Sequence, residues 1–132
     1  MRESHITQFD VRDYECDLQG IVNNAVYQNY IEHARHQFLL ANNVDFAKLT
    51  KEGIHLVVIR AELDFKRSLK SGDRFYVTTR ISRQSRFKFD FFQEVFRADD
   101  DSLMLKAKIV GASISETGKP IIYNGLDHAF ES

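Results

Sequence analysis

The sequence predicts an α+β fold: one long central helix wrapped by a curved antiparallel sheet of about five strands. Two observations carry this expectation. Apolar residues recur at helical spacing from Asn24 to about Ala41, and after Gly53 the period changes to two. The shorter period then persists through several runs, separated by turn signals and by no second long helix. A lone helix followed by consecutive strands must bury its apolar stripe on one face of the sheet they form.

In chain order, His5 to Arg12 carries Ile6, Phe9 and Val11 and reads as a first strand. The helix follows, with Tyr27, Tyr30, Ile31, Ala34, Phe38 and Leu39 at spacings of three and four. Asn23 or Asn24 can cap its start, and Asn42-Asn43 supplies a stop. At about 1.5 Å per residue it spans roughly 27 Å, enough to cross a small domain. Asp45 to Lys51 reads as a short helical turn closed by Gly53. Val57, Ile59, Ala61, Leu63 and Phe65 then alternate with more polar neighbours, which puts these five on one face. Ser71-Gly72-Asp73 is a turn, and Phe75, Val77, Thr79 and Ile81 make the next apolar face. After a polar break from Ser82 to Ser85, Phe87, Phe89 and Phe91 alternate with Arg86, Lys88 and Asp90. Asp99-Asp100-Asp101 makes another turn before a long strand from Leu103 to Ile114. The tail from Ile121 to Ser132 reads as a short strand or helix with a frayed end.

The 132 residues fit one domain, 1–132, without a linker or repeat. A formal net charge of −1 argues against bulk nucleic-acid binding, which needs a strong basic excess. No run approaches the roughly 18 apolar residues of a membrane span, and the first residues lack the apolar stretch of a signal peptide. Cys16 is the single cysteine, so no intrachain disulfide can form and a cytoplasmic location is expected. Eleven phenylalanines with no tryptophan imply a dense aromatic core or aromatic faces covered by another subunit. Phe92 and Phe96 place aromatic side chains on the second face of their strand, from which a homo-oligomer is expected.

Asp17 is the leading candidate for chemistry. Asp17-Leu18-Gln19-Gly20 has the composition of a simple turn, with Asp bonding its own backbone and Gly at positive φ. Yet the turn lies just ahead of a helix N-terminus, where backbone N–H groups lack partners. A carboxylate beside such donors has the parts for attack on a carbonyl whose oxygen becomes negative. Cys16 reads as an idle thiol, since neighbouring residues of an extended chain point to opposite faces. Glu32, His33 and His36 share about one helical turn, but no ligand set elsewhere completes a metal site. Glu32 and Arg35 read as an ion pair on the helix face. Arg83, Ser85 and Arg86, within the basic break from Arg80 to Lys88, suit phosphate oxygens as well as they suit a solvated turn. Tyr27, Tyr30 and His55 could line an apolar tunnel, with core packing the default.

The stretch from Cys16-Asp17 through Gly20-Ile21-Val22-Asn23-Asn24, Tyr27, Tyr30, Glu32 and Ala34-Arg35 resembles the hotdog-fold acyl-CoA thioesterases of the 4-hydroxybenzoyl-CoA thioesterase-like branch. Val11-Arg12, Val58 to Phe65 and Ser71-Gly72-Asp73 extend the likeness over nearly the whole chain. The resemblance implies hydrolysis of an acyl-CoA to a free acid and coenzyme A, with no separate cofactor. It assigns Asp17 as general base or nucleophile and a backbone N–H near Asn24 as the donor to the carbonyl. Gly20, Tyr27, Arg83, Ser85 and Arg86 would touch substrate, the last three through coenzyme A phosphates. It also implies a homodimer, or a homotetramer, with shared sites. Leu18 and Glu15 depart from the family pattern, where proline and aspartate are frequent. Two alternatives remain at this point: a non-catalytic acyl-thioester-binding protein, and a thioesterase acting on acyl carrier protein.

Overall fold

The computed structural model describes residues 5–130. β1 (His5–Asp10) leads through a 3-10 turn at Asp13–Glu15 into α1 (Asn24–Ala41) and the short α2 (Phe46–Lys51). Then come β2 (Ile54–Phe65), β3 (Arg74–Arg83), β4 (Lys88–Arg97), β5 (Leu103–Ser115) and a second 3-10 turn at Asp127–Ala129. All strands pair antiparallel in one sheet of order β1-β3-β4-β5-β2. The expected strand through Arg12 ends at Asp10, because Asp13–Glu15 coils; there Glu15 accepts from the Arg12 N–H at 2.8 Å. The frayed end expected at Glu131 and Ser132 lies outside the described residues.

Asn23 caps α1, its side chain accepting from the Ala25 N–H at 2.9 Å. At the other end the Asn42 N–H returns to the last helical carbonyls, and Asn43 takes φ 65°, the left-handed stop. Tyr27, Tyr30, Ile31, Ala34, Phe38 and Leu39 are the helix's buried residues, the stripe its spacing predicts. Burial of one such large side chain contributes about 1.5–3 kcal/mol, so this stripe is what holds α1 to the sheet.

Strand register arranges the facing side chains in rows. Thr79, Gln93, Ala107 and Leu63 form one row; Val77, Val95, Leu105 and Phe65 form the next. Gln93 is an amide in the middle of an apolar row, with no exposed surface. Its Nε2 donates to the Ile31 carbonyl at 2.9 Å and to the Thr79 hydroxyl at 3.1 Å, while Oε1 accepts from Arg35 at 3.1 Å. Only this orientation of the amide satisfies all three partners, so one side chain clamps α1 to β3 and β4. Arg35 thus turns inward, and no ion pair with Glu32 forms among the described residues. Burial lowers the guanidinium pKa, an effect the Glu32 charge opposes.

β2 departs from its expected alternation. Val58 pairs with Gly111 and Arg60 with Val110, which leaves Ile59 as an extra, bulged residue. The bulge shifts the phase, so Leu56 and Val58, not Val57 and Ile59, continue the face of Ala61, Leu63 and Phe65. As an edge strand, β2 leaves Val58, Ile59 and Phe65 about half exposed. On the far side of the sheet, Phe96 stacks on Tyr76 and Phe92 lies under Arg80, all partly covered.

Residues 121–130 cross back over the core, where Leu126 is fully buried. Phe130 makes an isolated parallel bridge with Ile81. Gly111 serves the core differently: a Cβ there would collide with the Phe89 ring, so glycine lets that ring lie flat on β5.

Candidate active site

The chain between β1 and α1 folds back on itself in a narrow hairpin. Cys16 bridges Val22, the Asp17 N–H reaches the Ile21 carbonyl at 2.9 Å, and the Asn23 N–H reaches the Glu15 carbonyl at 3.1 Å. Gly20 at the tip has φ 79°, a conformation only glycine adopts without strain. Asp17 is exposed, and its Oδ1 accepts from Gln19 N–H at 2.9 Å and Ile21 N–H at 3.3 Å. The expected turn therefore forms. One carboxylate oxygen is fixed by the turn, and Oδ2 accepts no hydrogen bond among the described residues. Leu18, beside it, is fully exposed.

Asn24 is the first residue of α1, so its N–H has no acceptor within the helix, and no other group among the described residues takes it. The positive end of the helix dipole adds to its pull on an anion. Behind it the Tyr30 hydroxyl donates to Glu15 Oε1 at 2.8 Å, and burial together with that carboxylate raises the tyrosine pKa. Cys16 is only half-buried, and its thiol pKa is raised, first by burial and then by the Asp13 charge. A raised thiol pKa suppresses the thiolate that a nucleophile needs.

The remaining candidates do not gather around Asp17 within one copy of the chain. Tyr27 is buried, its hydroxyl accepting from the Leu69 N–H at 2.8 Å, with its pKa raised by burial. It supports the site from inside without facing it. Arg83, Ser85 and Arg86 lie at the far end of β3, whose ten residues span about 30 Å at roughly 3.3 Å each. Arg83 also spends four of its N–H donors on the protein. They reach the Ser85 and Arg86 carbonyls at 3.2 and 3.1 Å, the Tyr123 carbonyl at 3.3 Å and Asp127 at 2.8 Å. Its guanidinium also covers the Phe130 ring at 4.6 Å. It is a latch for the tail. Ser85 and Arg86 are exposed at the hairpin tip.

Two features were not anticipated from the sequence. A cleft of about 690 Å³ opens beside Glu15, lined in part by Arg12, Asn29, Tyr30, Arg74 and Phe75; it includes neither Asp17 nor Asn24. The second is the segment after β2, Lys66-Arg67-Ser68-Leu69-Lys70, which packs directly against the Asp17 hairpin. Lys70 bridges Ile21, and the Val22 N–H reaches the Leu69 carbonyl at 2.9 Å. Its dense positive charge was the signal available beforehand. Among the described residues no group of three or more His, Cys, Asp or Glu side chains could hold a metal ion. No helix of the described residues is long and apolar enough to cross a membrane.

The model of the thioesterase-like superfamily matches residues 11–121, and the chain belongs to that family. Two chloroplastic acyl-acyl carrier protein thioesterases of Arabidopsis thaliana, ATL3 and ATL2, are 35% and 38% identical over 92% and 79% of the chain. The chain spans 64% and 55% of their lengths. Among solved structures, the DHNA-CoA thioesterase of Staphylococcus aureus superposes with TM-score 0.83 at 26% identity, covering 96% of this chain and 83% of that one. The 1,4-dihydroxy-2-naphthoyl-CoA thioesterase of Synechocystis gives TM-score 0.88 at 19% identity over 96% and 94% of the two chains. The fold is the hotdog of these thioesterases, one long helix against a five-stranded antiparallel sheet.

Proposed function

We propose that this protein hydrolyses an acyl-CoA thioester, releasing the free acid and coenzyme A. Asp17 either takes the proton of the attacking water or attacks the carbonyl itself and is then freed by water. The Asn24 N–H, at the positive end of α1, holds the carbonyl oxygen as it becomes negative. The observation that carries this reading is the Asp17 carboxylate, oriented by its own turn through Oδ1 while Oδ2 accepts no hydrogen bond among the described residues. Coenzyme A is part of the substrate here, and the chemistry asks for no other cofactor.

Asp17→Asn is the test, because an amide oxygen keeps the two turn hydrogen bonds while losing the base. With a panel of acyl-CoAs followed by thiol release, a loss of about 10²-fold or more in turnover is expected. Near-wild-type turnover in the variant would end the assignment. If the wild-type protein binds but hydrolyses no thioester, a non-catalytic binding role takes its place.

A second carrier is favoured by a specific observation: the two Arabidopsis relatives are acyl-acyl carrier protein thioesterases. The same chemistry on a protein-bound pantetheine arm fits the same turn and helix, and comparing kcat/KM for one acyl group on both carriers decides between them. The half-exposed edge of β2 supports a homodimer built by pairing that edge about a twofold axis. Light scattering on the purified protein measures it, and a monomer at working concentration would reject it.

A further inference from the structure

Resting on the hydrolase reading, we infer that Lys66, Arg67 and Lys70 form the anchoring site for the phosphate of the substrate's phosphopantetheine arm. All three are exposed, and none makes an ion pair among the described residues. Arg83, by contrast, is already latched to Asp127 and three carbonyls. The ledge is also a built one. Lys66 and Arg67 donate their N–H groups to the Met104 carbonyl at 2.9 and 3.1 Å. The Leu69 N–H meets the buried Tyr27 hydroxyl at 2.8 Å, and the Lys70 N–H meets Asp73 at 2.9 Å. The nearby carboxylates Asp13 and Asp73 are engaged with Ser71 and with that Lys70 N–H. Three cations therefore sit on a backbone fixed before any ligand arrives, which spares ordering entropy on binding.

Position matches chemistry. Cys16 pairs with Val22 and Ile21 with Lys70, so Lys70 lies two chain-to-chain steps from the Asp17 strand, about 10 Å at roughly 4.8 Å per step. Lys66 is four residues further along, up to about 13 Å more. Steps across strands and length along one run at right angles, so the three cations lie about 10 to 16 Å from the Asp17 strand, within reach of the phosphate when an extended pantetheine arm carries its thioester at Asp17. Both coenzyme A and a carrier protein end their arm in that phosphate, which Arg and Lys bind through charge-assisted hydrogen bonds.

The experiment combines Lys66→Gln, Arg67→Gln and Lys70→Gln in the full chain. One acyl group is presented on coenzyme A, on acyl carrier protein and on N-acetylcysteamine, which lacks the phosphate. Binding of free coenzyme A is measured by calorimetry alongside. The expected result is a rise of about tenfold or more in KM for both phosphate-bearing substrates, with kcat retained. A matching rise in Kd for coenzyme A and unchanged hydrolysis of the N-acetylcysteamine thioester should accompany it. Unchanged KM and Kd would overturn the inference, as would an equal loss on N-acetylcysteamine or a loss confined to the carrier protein. If the wild-type protein hydrolyses none of the three, the hydrolase reading fails, while the coenzyme A affinities of wild type and variant still decide for or against the ledge.

Discussion

The donor proposed at Asn24 belongs to the backbone, so replacing its side chain leaves it in place. Asn24→Pro removes it. Proline normally breaks a helix, but residue 24 is the first helical position, where the N–H has no intrahelical acceptor and a fixed φ near −65° already suits the turn. The residue before a proline must be extended, and Asn23 already is, at φ −63° and ψ 138°. Its side chain caps the Ala25 N–H, which the substitution leaves alone. Stability should therefore change by less than about 1 kcal/mol. Turnover should fall by about 10²–10³, the effect of one lost oxyanion donor, equivalent to about 2.7–4 kcal/mol in the barrier. Urea unfolding followed by circular dichroism gives the first quantity, and thiol release at saturating acyl-CoA gives the second. A folded Asn24→Pro protein with wild-type kcat would refute the argument outright.

Three further expectations concern the scaffold. Gln93→Leu loses two neutral hydrogen bonds and one to a cation while gaining apolar burial, so it should cost about 2–4 kcal/mol. In a double-mutant cycle, coupling to Arg35→Leu above about 0.5 kcal/mol is expected, and additive unfolding energies would deny the clamp. Gly111→Ala should cost about 1–3 kcal/mol by displacing the Phe89 ring, and a thermal midpoint unchanged from wild type would show that the ring moves freely. Tyr27 and Tyr30 have pKa values raised above the ordinary value of about 10, chiefly by burial. Their folded state keeps the proton that the unfolded chain releases, so this stability is intact below about pH 10 and lost as pH rises beyond it. Urea midpoints from pH 8 to 11.5 should fall more shallowly for Tyr30→Phe than for wild type; parallel curves would count against the assignment.

How much of this was legible in the sequence follows from the range of each interaction. The helix from Asn24 to Ala41 was readable because its stripe repeats within one turn and its caps are neighbours in sequence. The Asp17 turn was readable for the same reason. The bulge at Ile59 was not, because one inserted apolar residue leaves an alternating run looking continuous. The Arg83 latch was not legible either, because Tyr123 and Asp127, which engage it, lie some forty residues away. Gln93 left a faint trace: it occupies the same phase as Phe89, Phe91 and Val95, and a polar residue in a core-facing phase asks for buried partners. Which partners those are depends on how the helix crosses the sheet, which no local pattern encodes.

The Arg83 latch has a consequence for how the chain is made. Residues 121–130 leave the ribosome after every strand of the sheet and both helices, at a pace of about 5–20 residues per second. Until Leu126 arrives, the place it fills in the core stays open to water and to other nascent chains. Strand pairing is also non-local, since β1 must wait for β3 and β2 for β5. Closure of the core thus waits until Leu126 and Asp127 have been made, after all five strands.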